Sequence, residues 1–241
     1  ITHIMRAQEW IPSGPLHVLL YEAFGWDVPQ YCHLPMVMGE DGQKLSKRHG
    51  STAVREFKEK GYLPEALTNY VSMVGWSYDG VKEFFTREEL EQVFTLEKIN
   101  KAPGVFDYKK LDWYNGMYIR AKSDAELASL LTPYLAKAGF VTEPCSARQQ
   151  ERIDAMVPIV KERLKVLSDV VEMTRFLFED IACPPIDQML PKNQTVETTV
   201  QVLNATIPVI KELGKASDED LEQRLASIAT ERNLKINGVF M

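Results

Sequence analysis

The feature that most constrains the fold is a single change of hydrophobic pattern, which falls at the glycine-containing turn Gly39–Gln43. Before the turn, short apolar segments typical of strands flank one amphipathic segment with the spacing of a helix. The strands are predicted at Ile1–Met5 and Tyr31–Met38, and the helix begins at Ser13–Pro15. Within the second strand segment, Pro35 indicates an edge or a strand end. Because parallel strands need a crossover connection, this order indicates the closing part of a parallel α/β sheet.

After the turn, the pattern is helical almost throughout. Helix starts are indicated by a proline or by N-cap residues at Pro64, Thr86, Asp107 and Ser123. From Ser123 onward we expect about five amphipathic helices, interrupted at Pro184–Pro185. The sequence therefore predicts a mixed, mostly α chain in three parts: residues 1–38 end an α/β domain, 39–120 connect, and 121–241 form a helical bundle.

Composition and charge exclude several classes of protein. The 241 residues are 45% hydrophobic and 26% charged, as in a globular protein rather than a disordered one. The net charge of -6 excludes a chain coated with basic residues, so any contact with RNA or phosphate needs a local basic patch. No apolar run approaches the roughly 18 residues of a membrane helix, and we expect no membrane association. Three scattered cysteines without a CxxC pair indicate neither disulfides nor a metal site, and favour a reducing compartment.

The segment Lys44–Arg48, with the sequence Lys-Leu-Ser-Lys-Arg, is the sharpest local signal. Three cations and a hydroxyl lie within five residues of a loop that follows a turn. Such a loop can enclose an anion, because ammonium groups neutralise charge while a hydroxyl and backbone N–H groups supply oriented donors. A triphosphate needs these groups as charge builds on its leaving pyrophosphate. On composition alone, a solvated basic turn is the commoner explanation.

This segment resembles the KMSKS-type signature of class I aminoacyl-tRNA synthetases, with Leu45 in place of Met and Arg48 in place of the last Ser. The longer phrase Lys44–Gly50 is similar to the version in glutamyl-tRNA synthetases. Further similar segments flank it in the expected order, at Arg6–Trp10, Pro15–Trp26, Gly61–Leu67, Gly75–Ser77 and Phe106–Arg120. The strong resemblance covers about the first half of the chain, and the helical second half matches loosely.

The resemblance implies a domain assignment and a reaction. Residues 1–38 would be the C-terminal part of the class I Rossmann-like catalytic domain, 39–120 the signature loop and stem-contact fold, and 121–241 the N-terminal part of an α-helical anticodon-binding domain. The implied reaction is the ATP-dependent ligation of L-glutamate to tRNA-Glu, with adenylate formation followed by acyl transfer. ATP with Mg²⁺ is then a substrate complex, no tightly bound cofactor is expected, and the protein is expected to be a cytoplasmic monomer.

Within this scheme, the resemblance gives the loop residues catalytic and ATP-binding roles. Lys47 matches the second lysine of the signature and would stabilise charge on the α-phosphate and pyrophosphate. Lys44 and Ser46 would shape the loop and contribute donors, and Glu9 matches an acidic position near ATP. For Arg48, the sequence leaves open whether the side chain contacts phosphate or tRNA.

Arg6 is the candidate for glutamate recognition. It follows the first predicted strand, so it projects from the carboxyl end of a parallel sheet, where ligand sites of α/β proteins lie. A guanidinium at this place can hold a carboxylate through two hydrogen bonds. Besides Arg48, candidate tRNA contacts are Lys109, Lys110 and Arg120, with a solvated helix face as the alternative. Core packing is the favoured explanation for Trp113, Tyr114 and Tyr118, which follow a helical spacing.

Two other functions remain open at this stage. One is a tRNA-binding module without catalysis, and the other is a related synthetase with a different tRNA or amino-acid specificity. The family's His-Ile-Gly-His-type motif is absent from the 241 residues. We therefore expect this chain to be an incomplete part of a synthetase and to be inactive in adenylate formation by itself.

Overall fold

The computed structural model describes residues 1–50, 52–180, 182–191, 194–212, 217–232 and 234. Within these ranges the protein is mostly helical and has four short strands. The chain divides into two compact units, Ile1–Glu179 and Asp180–Met241. The finer division at residues 38 and 120 stays a prediction. In the part of the chain that the structure describes, no helix is long and apolar enough to cross a bilayer.

The first unit contains all four strands and eight of the described helices. The strands are β1 (His3–Ala7), β2 (Gln30–Leu34), β3 (Val37–Met38) and β4 (Gly104–Val105). The helices are α1 (Gly14–Ala23), α2 (Val54–Lys60), α3 (Pro64–Met73), α4 (Arg87–Val93), α5 (Tyr108–Ala121), α6 (Asp124–Lys137), α7 (Ala147–Val160) and α8 (Asp169–Thr174). The second unit contains α9 (Ile186–Met189), α10 (Val196–Ile210) and α11 (Asp218–Glu231).

The strands form two separate parallel pairs. β1 pairs with β2, and their last residues, Ala7 and Leu34, are register partners. β3 pairs with β4. The predicted strand segment Tyr31–Met38 is therefore divided into two strands, and the expectation of a strand end at Pro35 is confirmed. The break falls at Pro35, which has no N–H to donate to a ladder.

The N-cap predictions are confirmed at three helix starts. The side chains of Thr86, Asp107 and Ser123 each accept a hydrogen bond from the backbone N–H three residues later. Each bond satisfies a donor that has no partner inside the helix. These bonds fix where α4, α5 and α6 begin.

Two apolar cores organise most of the first unit. An aromatic-rich core joins α2, α3 and α5, and its buried members are Phe57, Tyr70, Phe106, Leu111 and Tyr114. A larger aliphatic core lies among α6, α7 and α8, where Leu127, Leu131 and Ile153 are fully buried, and it extends to Leu63 and Ile119. Because α3 and α5 contribute to both cores, they connect the two regions of the unit.

In the second unit, α10 and α11 pack against each other. Val209, Leu221 and Ile228 form their buried apolar contact. Thr195 caps α10 by accepting a hydrogen bond from the N–H of Thr198. Pro184 and Pro185 lie between α8 and α9, so the predicted interruption of the helical series at the two prolines is confirmed.

Candidate functional site

The basic loop begins where a tight hairpin ends. The N–H of Gly39 donates to the carbonyl of Gln43 at 2.8 Å, and the N–H of Leu45 donates to the carbonyl of Val37 at 2.9 Å. Gly42 adopts a φ of 72°, which favours glycine. These contacts fix the position at which the chain enters the segment Lys44–His49.

Ser46 and His49 build the interior of the loop. The N–H of Ser46 donates to His49 Nδ1 at 3.0 Å, and His49 Nε2 lies 3.0 Å from a carboxylate oxygen of Asp41. Gly39 leaves room for this ring, since a Cβ at Gly39 would come within 2.7 Å of it. The N–H of Gln43 and the His49 ring together lower the pKa of Asp41. Ser46 therefore belongs to an internal scaffold that shapes the turn Lys47–His49.

Lys44 joins the loop to the end of the first strand. Its amine lies 2.8 and 3.1 Å from the two carboxylate oxygens of Glu9, which comes two residues after β1. Both side chains are largely exposed, so the pair adds little to stability. It nevertheless places the basic loop beside the carboxyl end of β1, where α/β proteins bind ligands.

Lys47 is exposed, and among the described residues its amine has neither an ion pair nor a hydrogen bond. The pKa of Glu56 is lowered chiefly by the N–H groups of Thr52 and Ala53 and to a smaller extent by Lys47. Arg48 lies 3.9 Å from Asp41 and is also exposed. The loop therefore has a fixed interior and presents the cationic ends of Lys47 and Arg48 to solvent.

Arg6 occupies a half-buried position between the β1–β2 pair and α1. Its guanidinium contacts the rings of His17 and His33 and lies 4.9 Å from the centre of the Tyr31 ring. Within the described ranges, no carboxylate forms an ion pair with it. The Nη2 atom is buried and has no hydrogen-bond partner. A charge removed from water without a counter-ion is costly, and an incoming anion would remove that cost.

A cavity of about 410 Å³ adjoins Arg6. It is lined by two polar rings, His17 and Tyr31, and by apolar side chains that include Leu20, Phe24 and Trp26. The hydroxyl of Tyr31 is likewise buried without a partner. The cavity therefore combines apolar walls with two unsatisfied polar groups, which is the composition of many small-ligand sites.

The candidate RNA residues are divided between two places. Lys109 and Arg120 line one cleft of about 260 Å³ on α5, together with Arg163 and Lys165 from the segment after α7. Lys110, by contrast, forms an ion pair with Glu83 at 2.8 Å on another side of α5. The structure thus brings together two of the three predicted helix cations and adds two from a distant part of the chain.

Trp113 lines the same cleft and remains 47% exposed. The prediction that it packs in the core is wrong, whereas Tyr114 is fully buried as predicted and Tyr118 is partly buried against both cores.

The cleft is also lined by Asp112 and Glu162, so its cations outnumber its carboxylates by four to two. An exposed indole beside this excess of positive charge can stack on a base while the cations meet phosphates. Arg163 and Lys165 follow α7 in the sequence, and only the fold brings them to α5.

A metal site would require several ligating side chains close together. In the described ranges, no group of three His, Cys, Asp or Glu side chains has an arrangement that could hold a metal ion. The site therefore consists of a basic loop, an unpaired arginine beside a cavity, and a basic cleft with an exposed indole.

Comparison with known proteins gives consistent matches along the chain. Residues 1–113 match the family described as "tRNA synthetases class I (E and Q), catalytic domain", and residues 126–241 match "Anticodon binding domain". The glutamate–tRNA ligase of Borreliella burgdorferi is 48% identical over 241 residues, which are 100% of this chain and 49% of that protein. That of Treponema denticola is 49% identical over 88% of this chain and 46% of its own length.

The structural comparison agrees. A crystal structure of a glutamate tRNA ligase from Elizabethkingia meningosepticum, in complex with its amino acid, superimposes with a TM-score of 0.70 at 30% identity. The match covers 99% of this chain and 49% of that one. The chain therefore spans about half the length of the curated relatives and solved structures that it matches.

Proposed function

Because the chain belongs to the class I tRNA synthetases of the glutamate and glutamine type, we propose that it carries the ATP-phosphate loop and parts of the glutamate and tRNA sites of a glutamate–tRNA ligase. Glutamate's α-carboxylate attacks the α-phosphorus of ATP and displaces pyrophosphate. A hydroxyl of the terminal ribose of tRNA-Glu then attacks the acyl carbon and displaces AMP. The observation that carries the proposal is the Lys44–Glu9 ion pair, in which the basic loop lies beside the carboxyl end of β1.

Lys47 is the residue that stabilises the charge developing on the α-phosphate and pyrophosphate. Its amine has no ion pair among the described residues, and this supports the role because no such pair has to be broken when phosphate arrives. Donors that meet the charge as it develops lower the barrier more than they strengthen ground-state binding. The position of Lys47 on an exposed turn lets the amine follow the leaving group.

Lys44, Ser46 and Glu9 act around Lys47. Glu9 holds Lys44, and the bond from the N–H of Ser46 to His49 keeps the turn folded. Mg²⁺ enters with ATP as part of the substrate complex, and we assign it no ligand from this chain. Arg48 lies next to Lys47 and contacts phosphate or the acceptor end of tRNA.

Arg6 binds a carboxylate of the substrate. Its buried Nη2 without a partner supports this assignment, because a bound carboxylate would satisfy that donor and neutralise the charge. A guanidinium has donors and no acceptor, so it favours a carboxylate over the amide of glutamine. This donor-only chemistry supports glutamate as the amino acid.

The cleft on α5 binds the tRNA backbone. Lys109, Arg120, Arg163 and Lys165 supply the positive charge that the overall net charge of -6 does not. Trp113 provides a surface on which an unpaired base can stack. Since ATP and tRNA are cytoplasmic substrates, we place the protein in the cytoplasm, and the monomeric state stays a prediction.

A charging assay tests this function. The full-length protein encoded by the gene that contains this sequence should attach labelled glutamate, and not glutamine, to tRNA-Glu in an ATP-dependent reaction. Arg6→Ala should raise the KM for glutamate at least about tenfold and leave the KM for ATP within about twofold, while the exposed control Arg175→Ala should change neither. Equal charging with glutamine would overturn the assignment of the amino acid, and an unchanged glutamate KM in Arg6→Ala would remove Arg6 from the site.

A further inference from the structure

The imidazole rings of His17 and His33 both contact the guanidinium of Arg6. We propose that His17 and His33 are positioning residues, which fix the Arg6 guanidinium for a substrate carboxylate without neutralising it. The inference rests on the proposed role of Arg6 in binding glutamate. Neither histidine has a sequence signal for such a role, because they are 16 residues apart and belong to different elements.

The parallel strand pair brings these side chains to one face. Arg6 and His33 are register partners, and Ile4 and Tyr31 are the partners one pleat earlier. Because side chains two residues apart in a strand point to the same side, all four lie on one face of the pair. His17 reaches that face from α1. The guanidinium is therefore enclosed by three rings, those of His17, Tyr31 and His33.

The hydrogen bonds determine the state of both imidazoles. Arg6 Nε lies 3.2 Å from His33 Nε2, and Arg6 Nη1 lies 3.0 Å from His17 Nδ1. A guanidinium can only donate, so both ring nitrogens must accept. Both rings are then neutral, with the proton on Nδ1 of His33 and on Nε2 of His17.

Neutral acceptors leave the positive charge of Arg6 in place, whereas carboxylates would not. A glutamate or aspartate at either position would orient Arg6 but would also cancel the positive charge that attracts the substrate. The two imidazoles accept hydrogen bonds from two N–H groups of Arg6 and leave the positive charge of its guanidinium intact. The buried Nη2 remains without a partner, at a residue that lines the cavity of about 410 Å³. The arrangement therefore holds Arg6 in one orientation beside the cavity and leaves its positive charge intact.

The test uses the fact that Arg6 donates to Nδ1 of His17 but to Nε2 of His33. The Oδ1 of asparagine reaches about as far as a histidine Nδ1, and the Oε1 of glutamine about as far as Nε2. In the full-length protein, His17→Asn and His33→Gln should therefore keep the glutamate KM within about threefold of the wild type. His17→Leu, His33→Leu and the shorter His33→Asn should each raise it about tenfold or more, with an unchanged KM for ATP.

The possible outcomes separate this inference from the function on which it rests. If Arg6→Ala raises the glutamate KM while both leucine variants leave it unchanged, the positioning role is wrong and the glutamate site stands. If Arg6→Ala has no effect, the glutamate site itself fails. Urea unfolding of each variant identifies general loss of folding, which would lower the maximal rate and leave both KM values unchanged. That result would contradict the positioning role.

A spectroscopic measurement on the full-length protein tests the arrangement directly. Long-range ¹H–¹⁵N spectra of the imidazoles at pH 8 should show the proton on Nδ1 of His33 and on Nε2 of His17. The opposite tautomer at either ring would place a proton on the nitrogen that faces Arg6. That nitrogen could not accept a hydrogen bond from the guanidinium, and the inference would be overturned. Arg6→Ala should move the His33 proton towards Nε2, the nitrogen on which a free neutral histidine prefers to carry it, and for the same reason should leave the His17 tautomer largely unchanged.

Discussion

Lys109 and Lys110 are neighbours in the sequence but have different electrostatic surroundings on α5. Lys110 is paired with Glu83, and this contact is the largest cause of the lowered pKa of that glutamate. Lys109 faces the cleft that Arg120 and Trp113 also line. The difference follows from helix geometry, because consecutive residues are rotated by about 100° and face different sides. Only Lys109 of the two is placed to meet an RNA phosphate without breaking an ion pair.

This difference predicts the salt dependence of RNA binding. Lys109→Ala should weaken the binding of tRNA-Glu to the 241-residue chain and reduce the slope of log K against log salt by about 1, because one phosphate contact and its released counter-ion are lost. Fluorescence anisotropy at several salt concentrations measures the slope. Lys137→Ala, which removes an exposed lysine from the last turn of α6, is the matched control. An equal change of slope in both variants would show that the cleft has no special role.

At the scale of elements, local hydrogen bonds decide where the helices begin. Ser123 accepts from the N–H of Glu126 at 3.3 Å, and the Glu126 carboxylate accepts from the N–H of Ser123 at 2.9 Å. This reciprocal pair satisfies two donors at the start of α6, a helix that contributes Leu127 and Leu131 to the large core. The cap therefore stabilises an element on which the core depends.

Ser123→Ala should lower the free energy of unfolding by about 1 kcal/mol, as is usual for the loss of an N-cap side chain. Urea denaturation of the 241-residue chain, followed by circular dichroism, measures the change. Ser129→Ala lies on the same helix, where the hydroxyl donates to the carbonyl of Ala125, and should change the free energy by less than about 0.5 kcal/mol. The account of the cap fails if the two variants are equally stable.

The cap residues also show how far the sequence predicts elements. Thr86, Asp107 and Ser123 act on the next three residues, so their signals are complete within a short window. The strand β4 has no such signal, because Gly104–Val105 is only two residues long and is defined by pairing with β3, some 65 residues earlier. Pairings of this kind depend on the whole fold and are not visible in local patterns.

At the scale of the whole first unit, Asn115 joins segments that are far apart in the sequence. Its Oδ1 accepts from the N–H of Leu63 at 2.8 Å, and its Nδ2 donates to the carbonyl of Lys165 at 2.6 Å. Gly61 lies at the same junction, where a Cβ would come within 2.6 Å of the Leu167 backbone. A fully buried amide with both ends satisfied links the α2–α3 connection to the segment after α7.

The site combines residues that the sequence indicated with residues that only the fold supplies. The loop Lys44–Arg48 was recognisable because its signal is contiguous. The prediction that Arg6 follows a strand ending at Met5 is wrong, because β1 extends to Ala7 and contains Arg6. The contribution of Arg163 and Lys165 to the cleft was not recognisable, since it depends on the junction at Asn115. The same holds for His17 and His33, whose contact with Arg6 requires the register of the β1–β2 pair.

The central claim is that the basic loop beside β1 binds the phosphates of ATP and that Lys47 acts on the charge of the transition state. Glutamate-dependent ATP–pyrophosphate exchange by the full-length protein tests it most directly. For Lys47→Ala, the account predicts a fall in the maximal exchange rate of about 100-fold or more, as for the loss of a preorganised donor, with the KM for ATP within about threefold of the wild type. An unchanged exchange rate, or a loss confined to ATP affinity, would contradict the account.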